Sequence, residues 1–215
     1  MIQRERRRAL RILGWIAVCL VAAIPVLVAA ASPLQASRDP VWIIGGMAGI
    51  VALSLLLIQP ILVSAYGAGI GAIRARRWHR LIGLAVVVAV AIHVVGLYLY
   101  SPDDITDALL LVAPTPFGVY GVIAMWCLGL TAILAVARSR LRIASGTWRL
   151  VHSMLSAVVV VTGVIHALLI DGTMGSASKL VLCVSLLVAT TVVLVHLNLV
   201  QPYRARRRTR RSPSG

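Results

Sequence analysis

Carboxylates are scarce in this sequence: Asp and Glu together number 6 against 21 Lys and Arg, and only 13% of the residues are charged. No acid, base and nucleophile constellation is visible, so the chain offers no obvious machinery for covalent or acid–base chemistry of its own. Cysteine is sparse as well. Cys19, Cys127 and Cys183 stand singly in three separate apolar runs, with no CxxC and no pair in a loop, which argues against a disulfide framework or a cysteine metal site and leaves them as small apolar core residues. So low a charge content in 215 residues also excludes an ordinary soluble domain.

What fills the space is hydrocarbon. The chain is 60% hydrophobic with a mean hydropathy of +0.96, and six apolar runs reach the ~20 residues that a bilayer core of ~30 Å requires. They fall at 12–31, 41–63, 79–100, 118–137, 150–170 and 179–200. Their closeness leaves no room for a separate soluble domain. The expected fold is an all-α integral membrane protein: a six-helix bundle over 12–200, preceded by a basic segment 1–11 and followed by a basic, disordered tail 201–215.

The net charge of +15 is distributed by side. Nineteen of the basic residues lie at the N-terminus (Arg4 to Arg11), in the second loop (Arg74, Arg76, Arg77, Arg80), in the fourth (Arg138, Arg140, Arg142, Arg149) and in the tail from Arg204. An even number of spans puts all four segments on one face, opposite Arg38, Lys179 and the five aspartates. The positive-inside rule then makes both termini cytoplasmic and the location the plasma (inner) membrane. The tail YRARRRTRR reads as a juxtamembrane anchor on anionic lipid and not as a nucleic-acid site. A basic start, an apolar stretch and AAAS at 29–32 also fit a secretory signal, but the run from Ile12 to Ala31 is long for one, and a retained helix is expected. The loop 101–118 holds an apolar ALLLVA, either a surface-lying or partner-receiving segment or a short connecting helix.

Histidine is where the apolar pattern is broken. RRWHRLIGLAVVVAVAIHVVGLYLY (76–100) carries His79 and His93, and TWRLVHSMLSAVVVVTGVIHALL (147–169) carries His152 and His166, so the same spacing of fourteen occurs twice. Fourteen steps of 100° fall about 40° short of four turns, so each pair shares a helix face, with a rise of roughly 21 Å between its members. One span lies between, so both helices run the same way. Placed side by side, they set His79 against His152 near the cytoplasmic surface and His93 against His166 near the outer one. Zinc wants four ligands, and neither level supplies them. A facing pair of neutral imidazoles is an axial set for haem iron, so two haems stacked across the membrane are expected. Gly83, Gly96 and Gly163 are candidates for letting a macrocycle approach the backbone. Arg77, Arg80 and Arg149 are candidates for the inner haem's propionates, or simply topology signals. Lys179, Tyr98 and Tyr100 are what the outer end offers. His196, beside Asn198 and Gln201, is either an interfacial polar residue or a quinone, flavin or propionate contact.

Those two His-bearing stretches, with one span between them, resemble the ferric reductase-like transmembrane domain family, over about residues 41–200. The family includes ferric reductases, NADPH oxidases and the haem-binding membrane subunit of the periplasmic methionine sulfoxide reductase system. The resemblance implies a six-helix bundle that passes electrons outward through b-type haems, with ligands at His79, His93, His152 and His166. Full ferric reductases and NADPH oxidases continue into a FAD- and NAD(P)H-binding module. No GxGxxG follows here, so the donor is expected to be a separate flavoprotein or a quinol, with FMN or FAD on this chain or a partner left open. The acceptor is an outer-face protein or small molecule. The sulfoxide reductase subunit matches in length but lacks a histidine at the place of His79, which sets this chain nearer the two-haem pattern. A quinol-linked cytochrome b is a second redox reading; a non-redox scaffold or transporter is the alternative from another class.

Overall fold

The computed structural model describes residues 2–64, 71–201 and 203, and these are all helix, turn or loop. The arginines of the tail, from Arg204 onward, lie outside the described residues. Six long helices are apolar enough to cross a membrane: α1 (Ile2–Ala30), α2 (Pro40–Val63), α3 (Ala72–Tyr100), α5 (Pro116–Ala137), α6 (Ser145–Leu169) and α7 (Ser176–Val195). A short α4 (Pro102–Leu109) joins α3 to α5, and a π-helical turn, His196–Val200, continues α7. The chain is therefore a multi-pass membrane protein.

Local chemistry sets the helix starts. Proline is the first residue of α2, α4 and α5, where its missing N–H costs nothing and its fixed φ is already helical. Asp39 caps α2, accepting the Val41 N–H at 2.7 Å. Gly71 and Gly175 precede α3 and α7 with φ of 73° and 69°, a region that side chains resist. Pro25 and Pro60 stand inside α1 and α2, as neighbouring helices permit in a membrane.

Helices α1 and α3 begin well before hydropathy alone indicates. Residues 2–11 form the first turns of α1. The basic second loop is largely the start of α3, so His79 lies two turns inside that helix. The 101–118 segment contains the short helix α4, and Leu110, Leu111 and Val112 after it are exposed.

The core lies where α1, α2, α6 and α7 meet. Ala22, Leu53, Leu57, Val160, Val164, Leu182, Cys183 and Leu186 form one cluster; Ala29, Ile50 and Met174 form a second nearer the start of α2. Elsewhere the apolar residues look outward, and Leu27, Ile133 and Val136 are 64%, 66% and 83% exposed. Water would not tolerate that surface, but hydrocarbon does. Cys183 is in the core as expected and Cys127 is half-buried, whereas Cys19 is exposed on the outside of α1, so it is no core residue; all three are free.

Helices α2 and α3 touch backbone to backbone. A Cβ on Gly96 would lie 3.0 Å from the Gly45 Cα, and one on Gly45 would lie 3.1 Å from the Leu97 nitrogen. Gly96 is thus a helix-packing residue, not one that clears space for a macrocycle. Gly83 meets only the Gln59 side chain, and Gly163 meets nothing within 4 Å.

Candidate functional site

Helix α3 packs on α2 and α6 on α5, and the histidines occupy the gap between α3 and α6. The structure brings together the residues that the spacing pairs. His79 and His152 have ring centroids 6.0 Å apart, and His93 and His166 are 6.2 Å apart. The ring planes are nearly perpendicular at both levels, 75° and 79°.

The outer pair is built twice by one device. His93 Nδ1 lies 2.8 Å from the Gly45 carbonyl oxygen, and His166 Nδ1 lies 2.8 Å from that of Phe117. A carbonyl can only accept, so each Nδ1 carries the proton and donates it, leaving the Nε2 lone pair free. One turn further along the supporting helix a glycine makes room. A Cβ on Gly49 would fall 2.7 Å from His93 Nδ1, and one on Gly121 would fall 2.7 Å from His166 Nδ1. Phe117 adds an edge contact to His166 at 6.0 Å.

The inner pair is held differently. The Gln59 side-chain amide reaches His79 Nδ1 at 2.6 Å and the Gly83 nitrogen at 2.7 Å. Nitrogen first, the amide donates to Nδ1 and the ring proton sits on Nε2; oxygen first, it accepts from Nδ1–H and frees Nε2 for a metal. His152 Nδ1 is shut off from solvent without a hydrogen-bond partner among the described residues. Its ring stacks on Trp148 at 5.1 Å and 23°.

An imidazole nitrogen binds a transition metal at ~2 Å, and the ring centre lies roughly 1 Å further out, so two rings on opposite sides of one ion sit roughly 6 Å apart. Both measured separations meet that value. Among the described residues no group of three or more His, Cys, Asp or Glu could hold a metal ion. The pairs therefore suit an ion whose other ligands come from a planar macrocycle.

The flanking residues are less tightly placed. Arg77, Arg80 and Arg149 are all exposed. At 100° per residue, Arg77 projects about 160° from His79, whereas Arg76 and Arg149 project about 60° from His79 and His152 and sit one turn beyond them. Lys179 donates to the Ile170 carbonyl at 2.7 Å, so it is occupied at the end of α6. Tyr98 and Tyr100 are exposed. Asn198 bonds back to the Leu194 carbonyl of its own helix, and His196, half-buried, opens the π-helical turn.

Spacing of the histidines did not reveal Gly45, Gly49, Gln59, Phe117, Gly121 or Trp148. A signal for four of them was present. GGMAG at 45–49 and FGVYG at 117–121 are offset by only one position less than His79 from His152 and His93 from His166, so the repeat extends into the preceding helices.

Comparison with known families finds a match to the family described as ferric reductase like transmembrane component, over residues 45–163. It takes in His79, His93 and His152 and stops just short of His166. No curated protein and no solved structure matches the chain.

Proposed function

Since this chain belongs to the ferric reductase-like transmembrane family, we propose that it carries electrons across the membrane by means of two b-type haems, one held by His79 and His152 and one by His93 and His166. The observation that carries this reading is the pair of imidazole separations, 6.0 and 6.2 Å, at two levels of one gap.

A haem held by each histidine pair would supply one-electron chemistry, and two imidazole ligands would favour outer-sphere transfer over oxygen binding. The protein's part is orientation. The Gly45 and Phe117 carbonyls hold the Nδ1 protons of His93 and His166, which keeps both Nε2 atoms turned to the gap and raises their basicity. For His79 the same service requires the Gln59 amide to turn its oxygen to the ring, giving up the contact in which that oxygen accepts from the Gly83 nitrogen. Arg80 and Arg149, with Arg76 on the same side, offer guanidinium partners for carboxylates at the inner level, and Arg77 faces away from it.

In this reading the positive-inside rule, applied to the arginines, sets the termini and the His79/His152 level at the cytoplasmic face of the plasma membrane. Electrons then enter from a separate flavoprotein or a quinol and leave to an acceptor protein or small molecule outside. The substrate chemistry belongs to those partners.

The test is the reduced-minus-oxidised spectrum of the purified protein, with a pyridine haemochrome count, for wild type and His93→Ala. Two b-type haems per chain, falling to one in the variant, are expected. A colourless protein after haem-replete expression would sink the reading.

A further inference from the structure

His152 is the odd member of the four. Two of the others give Nδ1 to a backbone carbonyl and the third meets an amide, but His152 Nδ1 has no such partner among the described residues. A ligand ring free to turn about its last side-chain torsion would swing its lone pair off the metal. Something else must fix that torsion.

Trp148 is one helical turn before His152, and a helical side chain leans back over the preceding turn, so the two rings meet. They lie 5.1 Å apart and only 23° from parallel. The indole is itself backed. The Arg138 guanidinium carbon sits 5.4 Å from its ring centre, and Arg138 Nη2 donates to the Ser145 hydroxyl at 3.3 Å. Ser145 opens α6 and Arg138 follows the last residue of α5, so the stack ties the α5–α6 turn to the ligand. Among the described residues nothing comparable stands at His79. The residue one turn before it is Ala75, which is buried, and the adjacent Trp78 is 53% exposed.

We propose that Trp148, backed by Arg138, is the positioning residue of His152, a flat face replacing the hydrogen bond that orients the other ligands. This rests on the haem reading above. It makes the inner level the one whose axial ligand is released when an aromatic side chain is lost.

The experiment compares wild type, Trp148→Leu and Trp148→Phe, each purified with its haem, reduced and exposed to carbon monoxide, which binds ferrous haem only where an axial position opens. Leucine keeps apolar bulk and removes the flat face; phenylalanine restores it. Wild type is expected to take no carbon monoxide, the leucine variant to take it at one haem of the two, and the phenylalanine variant to behave as wild type. His93→Ala in the leucine background should then show that the remaining, inner haem is the reactive one. A leucine variant with both haems inert overturns the proposal, as does equal reactivity of the leucine and phenylalanine variants. If the leucine variant does not assemble, Arg138→Gln reads the same signal from the exposed end of the stack, and inert haems there overturn it too. A wild type without haem would instead overturn the function proposed above.

Discussion

Replacing Gly121 by alanine tests the outer site with a single added carbon. The new Cβ would lie 2.7 Å from His166 Nδ1 and 2.8 Å from Cε1, whereas such atoms rest at about 3.5 Å, so the ring must retreat by roughly 0.8 Å. Metal–ligand bonds tolerate about 0.2 Å. The retreat also pulls Nδ1 off the Phe117 carbonyl, now 2.8 Å away, and leaving a buried N–H unpaired costs about 1–3 kcal/mol. Overpacking adds about 1–3 kcal/mol. Even the low end, about 2 kcal/mol together, weakens haem at that level by about 30-fold. Gly121→Ala should therefore lose the outer haem and keep the inner one, read as a fall from two haems to one per chain by pyridine haemochrome. Gly129→Ala, on the same helix with nothing within 4 Å of its added Cβ, should keep both. Retention of two haems with unchanged spectra in Gly121→Ala would refute the reasoning, because it would mean that α5 yields to the methyl group and does not define the ring position.

Other expectations follow from the same geometry. With imidazole planes 75° and 79° apart, neither ligand pair lifts the degeneracy of the iron orbitals strongly, so the ferric protein should give strongly anisotropic low-spin resonance dominated by one low-field feature; a rhombic three-line spectrum would contradict the ring orientations. Gln59→Leu deprives His79 Nδ1 of its amide, a loss of about 1–3 kcal/mol, and by making the ligand less basic it should raise the midpoint or lower the occupancy of the inner haem alone in a redox titration. Gly96→Ala puts a methyl group 3.0 Å from the Gly45 Cα, and because that neighbour is rigid backbone it should cost about 1–3 kcal/mol. It should show as a lower thermal midpoint together with loss of the outer haem, since Gly45 also supports His93.

Much of this molecule is legible without coordinates because its strongest signals are periodic. A run such as Leu84–Ala91 has one stable fate in a bilayer, and histidines that repeat one spacing on co-directional helices, from 79 to 93 and from 152 to 166, can only share a face. What stayed hidden is what a backbone atom does. The repeated GGMAG and FGVYG mark the positions of Gly45 and Phe117, but nothing in a sequence says that their carbonyls act, and only the distance to Nδ1 reveals the role. Gly96 shows the converse: its closeness to His93 invited a cofactor reading, while its actual neighbour is Gly45 across the helix interface. Helix starts were misplaced for a related reason. Arginines read as loop when judged by hydropathy, yet they are good helix formers, and α1 and α3 run through them. Trp148 and Trp78 look alike beside their histidines, and only helix phase separates the stacked ring from the exposed one.

The two supporting hairpins, α2 with α3 and α5 with α6, run in the same direction and carry equivalent parts at a nearly constant offset along the chain. Repeats that run the same way are typically related by an axis along the membrane normal. That axis relates the two members of each histidine pair but never one level to the other. The outer level obeys the symmetry, with the same carbonyl and glycine on both sides; the inner level breaks it, with an amide on one side and an indole on the other. A duplicated hairpin thus arrives with its two ends already distinct, and divergence at one end can proceed without disturbing the matched pair at the other.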